Sequence, residues 1–461
     1  LRVEEYKRPK FEVIALPVKE SFKINDSVQI QGHAKAYAGN NIDGAKVSYR
    51  VVRKANFPYW NWRWGWYIPF NQEVQEIAFG ETTTDAKGEY KITFKALADR
   101  SIPKKNNPEF NYTVYATVTD ITGETHTTQT VVRVGYIALD ISLSIPENVD
   151  RENTKSFTIN SQNLNAEFEA ATGSILIQQL TTPNVVYNNR FWNKPDYHTI
   201  LNADKFKEKF PTYAYKSENE QQEWKVVKQT LKTNFDTEKS KELTLKNLKK
   251  WAQGTYKVTL KTTDKYGEAI ELVKFFTLYS TKEKTTPINN SLFIAQESFT
   301  KEPGERVKID FGAHNKAAYV LYEVEHDNQI VKREWIQPKG RKILSIAIEE
   351  KHRGNLHFHL SSTQNNRLYS SSRTIYVPWS NKDLKIEYAT FRDKLYPGQE
   401  EEWKIKISGH KGDKVAAEFL AGMYDASLDA FAANSWGMNI HSTSYRSLSL
   451  QAYNSFNAVG S

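Results

Sequence analysis

Apolar and polar residues alternate one by one along many short stretches of this chain. From Tyr256, the residues Tyr256, Val258 and Leu260 fall on one side and Lys257, Thr259 and Lys261 on the other. A period of two marks a half-buried β-strand. The same phrase occurs earlier, with Tyr112, Val114, Ala116 and Val118 on one face. Each copy runs into a four-residue turn, Asp120-Ile-Thr-Gly123 or Asp264-Lys-Tyr-Gly267, and then into a second β-rich stretch. Asp at the first turn position can bond its own backbone, and Gly at the fourth relieves left-handed strain. The phrase therefore predicts a β-hairpin, and its Val, Thr and Tyr density argues against a helix. A fainter third copy runs from Gly354 through Leu360, turns at Asn365-Asn366, and returns over Arg373 to Val377.

The starts of these segments also rhyme. Val28-Gln-Ile30 after Asn25 matches Val307-Lys-Ile309 after Gly304, with looser versions at Phe157-Thr-Ile159 and Trp403-Lys-Ile405. Four segments follow: 1–136, 137–280, 281–380 and 381–461. Segments of about 100–140 residues with many short alternating strands and no βαβ rhythm predict β-sandwiches, each with its own core. The expected fold is all-β, a string of four antiparallel seven-stranded sandwiches of immunoglobulin or fibronectin III type, the last incomplete. The second is expected to carry a polar, partly helical insert over 193–250, with a short helix over Ala203 to Phe210 started by Asn202 and stopped by Pro211, while the imperfect alternation of Trp224, Val226 and Val227 reads as a strand over Gln221 to Thr230.

Composition narrows the function more than the fold. The 461 residues hold 39% hydrophobic and 13% aromatic residues, so disorder is not expected. No apolar run approaches the ~20 residues of a membrane-spanning helix, and no signal peptide opens the chain. Leu1 stands where an initiator Met would, so the chain is expected to begin inside a longer reading frame. The absence of Cys excludes disulfides, thiolate metal sites and cysteine nucleophiles. A net charge of +9 spread over 63 basic and 54 acidic residues is a mixed, solvated surface without a basic stripe, and nucleic acid is not an expected partner.

The opening VEEYKRPKFEV, Val3 to Val13, resembles the start of the third macroglobulin domain of the α2-macroglobulin family. Its continuation, with Gly32, Ala36-Tyr37, Gly39 and Gly44-Ala45-x-Val47-x-Tyr49, and then TTTDAKGEYKITF, Thr82 to Phe94, is similar to the bacterial branch. FWNKPDYHTILNADKFKEKFP resembles the bacterial fourth domain, and LAGMYDASLDAF, Leu420 to Phe431, the Asp-x-x-Leu strand of the sixth. The resemblance implies macroglobulin domains three to six of a larger protease trap. In such a trap a protease cuts a bait segment and is enclosed by the resulting change of shape. Many members carry a Cys-x-Glu-Gln thioester in a later domain, and nothing in this Cys-free chain can match it. The Ser/Asn-rich tail after Phe431 is expected to lead toward the bait.

Several groups invite a chemical reading. In YWNWRWGWY, Tyr59 to Tyr67, the residues Trp60, Trp62, Trp64 and Trp66 would share one face of a strand. Packing against the chain's own sandwiches, contact with a partner, and a stacking platform for sugars are the alternatives. His357 and His359 lie two apart on a predicted strand, with His352 nearby, but zinc needs three or four ligands, and two solvent-facing histidines are expected instead. Glu400, Glu401 and Glu402, and Glu349 and Glu350 beside Lys351 and Arg353, read as solvated charge. Asp425, Ser427 and Asp429 would share a strand face, yet the resemblance makes them structural. No Gly-x-Ser-x-Gly elbow, His-Glu-x-x-His helix or phosphate loop is present, so no catalytic, metal or cofactor site is expected.

Two functional readings follow. The first is a non-enzymatic scaffold of a bacterial α2-macroglobulin-like endopeptidase inhibitor. The resemblance implies the periplasm or outer surface of a Gram-negative bacterium. Its partners would be target proteases, met through the full-length protein, and further macroglobulin-like domains of the same chain. No membrane insertion is expected of this stretch. The alternative is a cell-surface adhesion or glycan-binding array of sandwiches.

Overall fold

A computed structural model describes residues 9–56, 74–188, 201–295, 299–365 and 367–390, then 398–410, 412, 417–422 and isolated positions (396, 424, 429, 437 and 447). The predicted alternation is realised as strands almost throughout. The first unit comprises β1 (Phe11–Ala15), β2 (Ser27–Ala36), β3 (Lys46–Asn56), β4 (Gln75–Thr83), β5 (Glu89–Lys95), β6 (Glu109–Thr119) and β7 (Thr125–Gly135). They form two sheets, β1-β2-β5 and β4-β3-β6-β7, with every pairing antiparallel. The inward residues of both sheets, among them Val28, Ile30, Ile92, Tyr112, Val114 and Val118, make one buried cluster.

The second unit follows the same plan. Its strands are β8 (Leu139–Ser144), β9 (Asn148–Asp150), β10 (Ser156–Asn163), β11 (Thr172–Leu180), β12 (Val226–Asp236), β13 (Glu242–Thr244), β14 (Gly254–Thr263) and β15 (Ala269–Tyr279). One sheet is β13-β10-β8; the other is β12-β11-β14-β15, extended by β9 running parallel to β15. The two sheets enclose a second core around Ile175, Ile177, Tyr256, Val258 and Leu260. The sandwich resumes earlier than the expected insert limits of 193–250 imply. β12 pairs with β11 over nine residue pairs and β13 pairs with β10, so both belong to the sheets. The polar excursion lies between β11 and β12 and holds α1 (Ala203–Lys209), capped by the Asn202 side chain accepting from Lys205 N.

The third unit has β16 (Phe293–Ile294), β17 (Arg306–Gly312), β18 (Val320–His326), β19 (Gln329–Ile336), β20 (Arg341–Ala347), β21 (Gly354–Gln364) and β22 (Arg367–Val377). Its sheets, β16-β17-β20 and β19-β18-β21-β22, reproduce the strand order of the first unit. Its core, with Val307, Phe311, Val320, Tyr322, Phe358 and Ile375, is separate from the other two. Beyond it, β23 (Leu384–Thr390) and β24 (Lys404–Gly409) pair as a two-stranded sheet. The chain is therefore all-β with antiparallel sandwiches in series. Among the described residues, no helix is long and apolar enough to cross a membrane.

The repeated hairpins have the predicted chemistry. Asp120 Oδ1 accepts from the backbone of Thr122 and Glu124, and Asp264 Oδ1 from Tyr266 and Glu268. Gly123 and Gly267 sit at φ of 83° and 86°, where a side chain is strained. The shared tyrosines, Tyr112 and Tyr256, are buried, and each hydroxyl donates to a backbone carbonyl, of Leu97 and Ala252 respectively.

Candidate functional site

For a string of sandwiches the first question is how the units are joined, because joints decide whether units move freely or together. The turn of the second hairpin reaches back onto the first unit. The Tyr266 hydroxyl lies 2.9 Å from Ser21 O and 3.0 Å from Asp26 Oδ2, Lys265 Nζ donates to Ser21 O at 3.0 Å, and Lys23 Nζ sits over the Tyr266 ring. Burial first, and then the hydrogen bond with Asp26, push the Tyr266 hydroxyl well above its ordinary range. Asn163 and Asn165 add bonds to Lys19 O and Glu20 O, and Asn165 Oδ1 accepts from Arg133 N. The same turn holds its own unit's first strand, since Asp264 Oδ2 accepts from Ala138 N. Tyr266→Phe removes the shared donor. It is expected to weaken this joint by about 1–3 kcal/mol, read as faster hydrogen exchange at the joint while the second unit's own calorimetric transition stays in place.

The third hairpin also reaches backward. Just after its turn, Arg367 donates to the Tyr213 hydroxyl and Tyr369 OH donates to Asn188 Oδ1 at 2.7 Å, both in the excursion of the second unit. The main fastening between these units is Arg341 at the start of β20. Its guanidinium is almost fully buried and pairs with Asp310 through two bonds, Nε to Oδ1 at 3.1 Å and Nη2 to Oδ2. Nη1 donates to Ser280 O, the last residue before the connection, at 2.7 Å. The rings of Tyr279 and Phe293 lie at 5.2 and 5.3 Å from the guanidinium carbon and make a small apolar cluster of their own with Ala295. The polar connection after Tyr279 is thus packed down: Ser280 is fully buried, its Oγ donates to Glu152, and Arg341 N donates to Lys284 O.

Arg353 closes the third unit. It read as solvated charge, and the structure corrects that reading: Arg353 is buried, binds the carboxylates of Glu350 and Glu302, and donates to Pro378 O and Ser380 Oγ. Glu350 keeps much of its side chain in solvent, and the pairing holds its carboxyl below the ordinary range.

The histidines are the largest departure from expectation. They are not solvent-facing. His357 and His359 do share a face, opposite the core residues Leu356, Phe358 and Leu360, yet both are buried. In the register of β18 and β21, His357 stands opposite Glu325 and His359 opposite Glu323, both buried carboxylates. His359 Nε2 lies 2.8 Å from Glu325 Oε2 and its Nδ1 lies 2.7 Å from Ser372 Oγ. A carboxylate only accepts, so Nε2 carries a proton in this contact. His357 Nδ1 lies 3.1 Å from Thr374 Oγ1, and its Nε2 has no partner among the described residues. Burial pushes the His357 imidazole down from its ordinary range. Glu323 is tied to the exposed Arg333 at 2.7 Å.

Among the described residues, no group of three His, Cys, Asp or Glu could hold a metal ion. Trp60, Trp62, Trp64 and Trp66 lie outside the described residues, as do Asp425 and Ser427; Asp429 accepts from the Tyr424 hydroxyl at 2.8 Å. Glu400 and Glu402 are exposed. The residues that sequence reasoning passed over are Tyr266, Arg341 and the pair Glu323 and Glu325. Only the last left a trace, two acids alternating with Tyr322 and Val324 on one strand.

No known family profile matches the sequence, and no curated protein matches it. Among solved structures, the chain is similar to trypsin-activated α2-macroglobulin of Escherichia coli at 12% identity, over 89% of this chain and 27% of that one, with a TM-score of 0.39. It is similar to Salmonella α2-macroglobulin reacted with methylamine at 12% identity, over 88% and 25%, with a TM-score of 0.27. It is also similar to a 1.5-MDa bacterial ice-binding adhesin at 10% identity, over 77% and 91%, with a TM-score of 0.17. The chain spans about a quarter of the length of these α2-macroglobulins. Both kinds of neighbour are matched, and at these identities and scores the likeness does not choose between them.

Proposed function

We propose that the chain is a run of macroglobulin-like domains, divided at 1–136, 137–280, 281–380 and 381–461, that serves as non-enzymatic scaffold in a bacterial α2-macroglobulin-like endopeptidase inhibitor. The observation that carries this reading is the set of joints. Three sandwiches of one topology are fastened by the buried Arg341, which donates to Ser280 O of the preceding unit, and by backward-reaching hairpin turns rather than by slack linkers. Units fastened in this way move as bodies, which is what a cleavage-triggered change of shape requires of its frame. The motifs from Val3 to Phe94 point the same way. Target proteases are then partners of the whole protein, met in the periplasm or at the outer surface of a Gram-negative cell, and the chemistry of capture lies outside this stretch.

The test is an assay on the full-length protein with a protease of broad specificity. The expected result is one early cleavage, followed by loss of activity toward large substrates while small peptide substrates are still hydrolysed. Unimpeded digestion of a large substrate overturns the reading. Specific retention on a glycan surface, lost when Trp60, Trp62, Trp64 and Trp66 are replaced by Ala, would favour the adhesion array instead.

A further inference from the structure

The connection that leaves the third unit is tied down by Arg353. Its Nη1 donates to Pro378 O, directly after β22, and to Ser380 Oγ at 3.1 Å. Ser380 opens the short turn Ser380–Lys382 that leads into β23, and its own hydroxyl donates to Glu302 at 2.8 Å. The guanidinium is held for this task by Glu302 at 3.2 Å and Glu350 at 2.8 Å.

Arg353 is in turn placed by the residue before it. Glu349 to Arg353 form a single 3-10 turn closed by two reciprocal bonds. The Glu349 side chain accepts from the backbone of His352, and His352 Nδ1 accepts from Glu349 N at 3.0 Å. Glu or Gln commonly fills the second of these roles, with an oxygen that accepts at any pH near neutral. An imidazole nitrogen accepts only while it carries no proton, so here Nδ1 is bare and Nε2 holds the hydrogen. His352 is buried, and the ring of His326, at the end of β18, meets it edge-on at 5.2 Å.

We propose that His352 is a proton-operated latch: neutral, it holds the turn that presents Arg353 to the connection into β23, and protonated, it lets that connection go. The incoming proton lands on Nδ1, the nitrogen that was accepting, and sets N–H against N–H. The ring then has to leave Glu349 N, the turn loses one of its two closing bonds, and Arg353 loses the geometry that brings it to Pro378 and Ser380. The charged and titratable groups that face His352 are Glu349 and Lys351 on its own turn and His326 on β18. Glu350, Arg353 and Glu302 form the ion cluster that the turn presents.

The sign follows from the surroundings of the ring. Burial first, and then His326, hold the His352 imidazole below its ordinary range, and the attraction of Glu349 is a smaller effect. The latched state thus binds fewer protons than the released state. Its stability is complete above the ordinary His value of about 6.5 and is lost progressively as pH falls below it. Acid loosens the connection. The inference goes beyond protease trapping and does not depend on it, since it concerns one turn and the connection it holds.

Hydrogen exchange on the full chain tests it, with rates corrected for their intrinsic pH dependence. The reporters are the amides of Lys382 and Asp383, which donate to Trp379 O and Ser380 O. Their protection is expected to fall severalfold between pH 7.5 and 5.5, by about tenfold at most, because pH 5.5 lies one unit below the ordinary His value. Amides of β17 and β20, in the other sheet of the same unit, are expected to keep theirs. His352→Ala supplies no acceptor and is expected to be loose already at pH 7.5 and indifferent to acid. His352→Asn sets an amide oxygen where Nδ1 stood and is expected to keep the connection protected at both pH values. His357 is also held low by burial, so the Asn variant separates the two histidines. Acid loosening that persists in His352→Asn, or no loosening in the parent, overturns the proposal. Equal loosening of the Asn and Ala variants at pH 7.5, or a parallel loss in β17 and β20, overturns it too.

Discussion

Replacing Arg341 by Ala is expected to destabilise the third unit by about 3–5 kcal/mol, because it leaves the Asp310 carboxylate buried without its counter-ion. The same substitution strips Ser280 O of its donor and removes the cation lodged between Tyr279 and Phe293. The loss therefore falls on the joint as well as on the fold. Two measurements separate these effects. Denaturant unfolding reads the third unit, and the rate of tryptic cleavage after Lys282 and Lys284 reads the connection. The double variant Arg341→Met with Asp310→Leu is expected to recover most of the unfolding free energy, since an apolar pair of similar volume carries no unpaired charge. Cleavage after Lys282 and Lys284 is expected to remain fast in that variant, because nothing then ties Ser280 down. Recovery of both would mean that the ion pair serves the sandwich alone.

Tyr256→Ala is expected to cost about 3–5 kcal/mol, and to charge that cost to the second unit only. The ring stacks between Trp251 and Phe276, at centroid distances of 5.5 and 5.3 Å, in the middle of a core that contains no residue of the other two. A loss of that size lowers the corresponding calorimetric transition by about 10–20 °C in a unit of this length. Tyr256→Phe retains the stack and loses the bond to Ala252 O, for about 1 kcal/mol. Transitions of the first and third units should stay within a degree or two of the parent. A single transition that shifts as a whole would show that the three cores unfold as one.

The hairpins were legible because their signal is local. Alternation, Asp at the start of a turn and Gly at its end fix face and register within a dozen residues, and both Asp120 and Asp264 make the bonds that their positions imply. The limits of the polar excursion were less so. β12 carries exposed residues at Val226, Val227 and Lys228, as an edge strand does, so its alternation is imperfect and it reads as a strand within the insert rather than as part of the sandwich. The histidines show the general limit. Alternation correctly placed His357 and His359 on one face away from the core, but nothing in their own strand tells that this face is dry, as it is for the paired carboxylates Glu323 and Glu325 on β18. Arg341 and Tyr266 were invisible for the same reason: their partners, Ser280 and Ser21, are ordinary polar residues until the sheets bring them together.

Among the described residues, the hairpins of the second and third units both grip the unit that precedes them in the chain. During synthesis from the N-terminus, each newly emerged sandwich therefore finds its anchorage already folded, and Ser21 or Asn188 waits for a tyrosine that the ribosome has yet to deliver. Vectorial growth of this kind never asks a finished unit to hold a half-made neighbour, which lowers the risk that alike sandwiches exchange strands as they emerge.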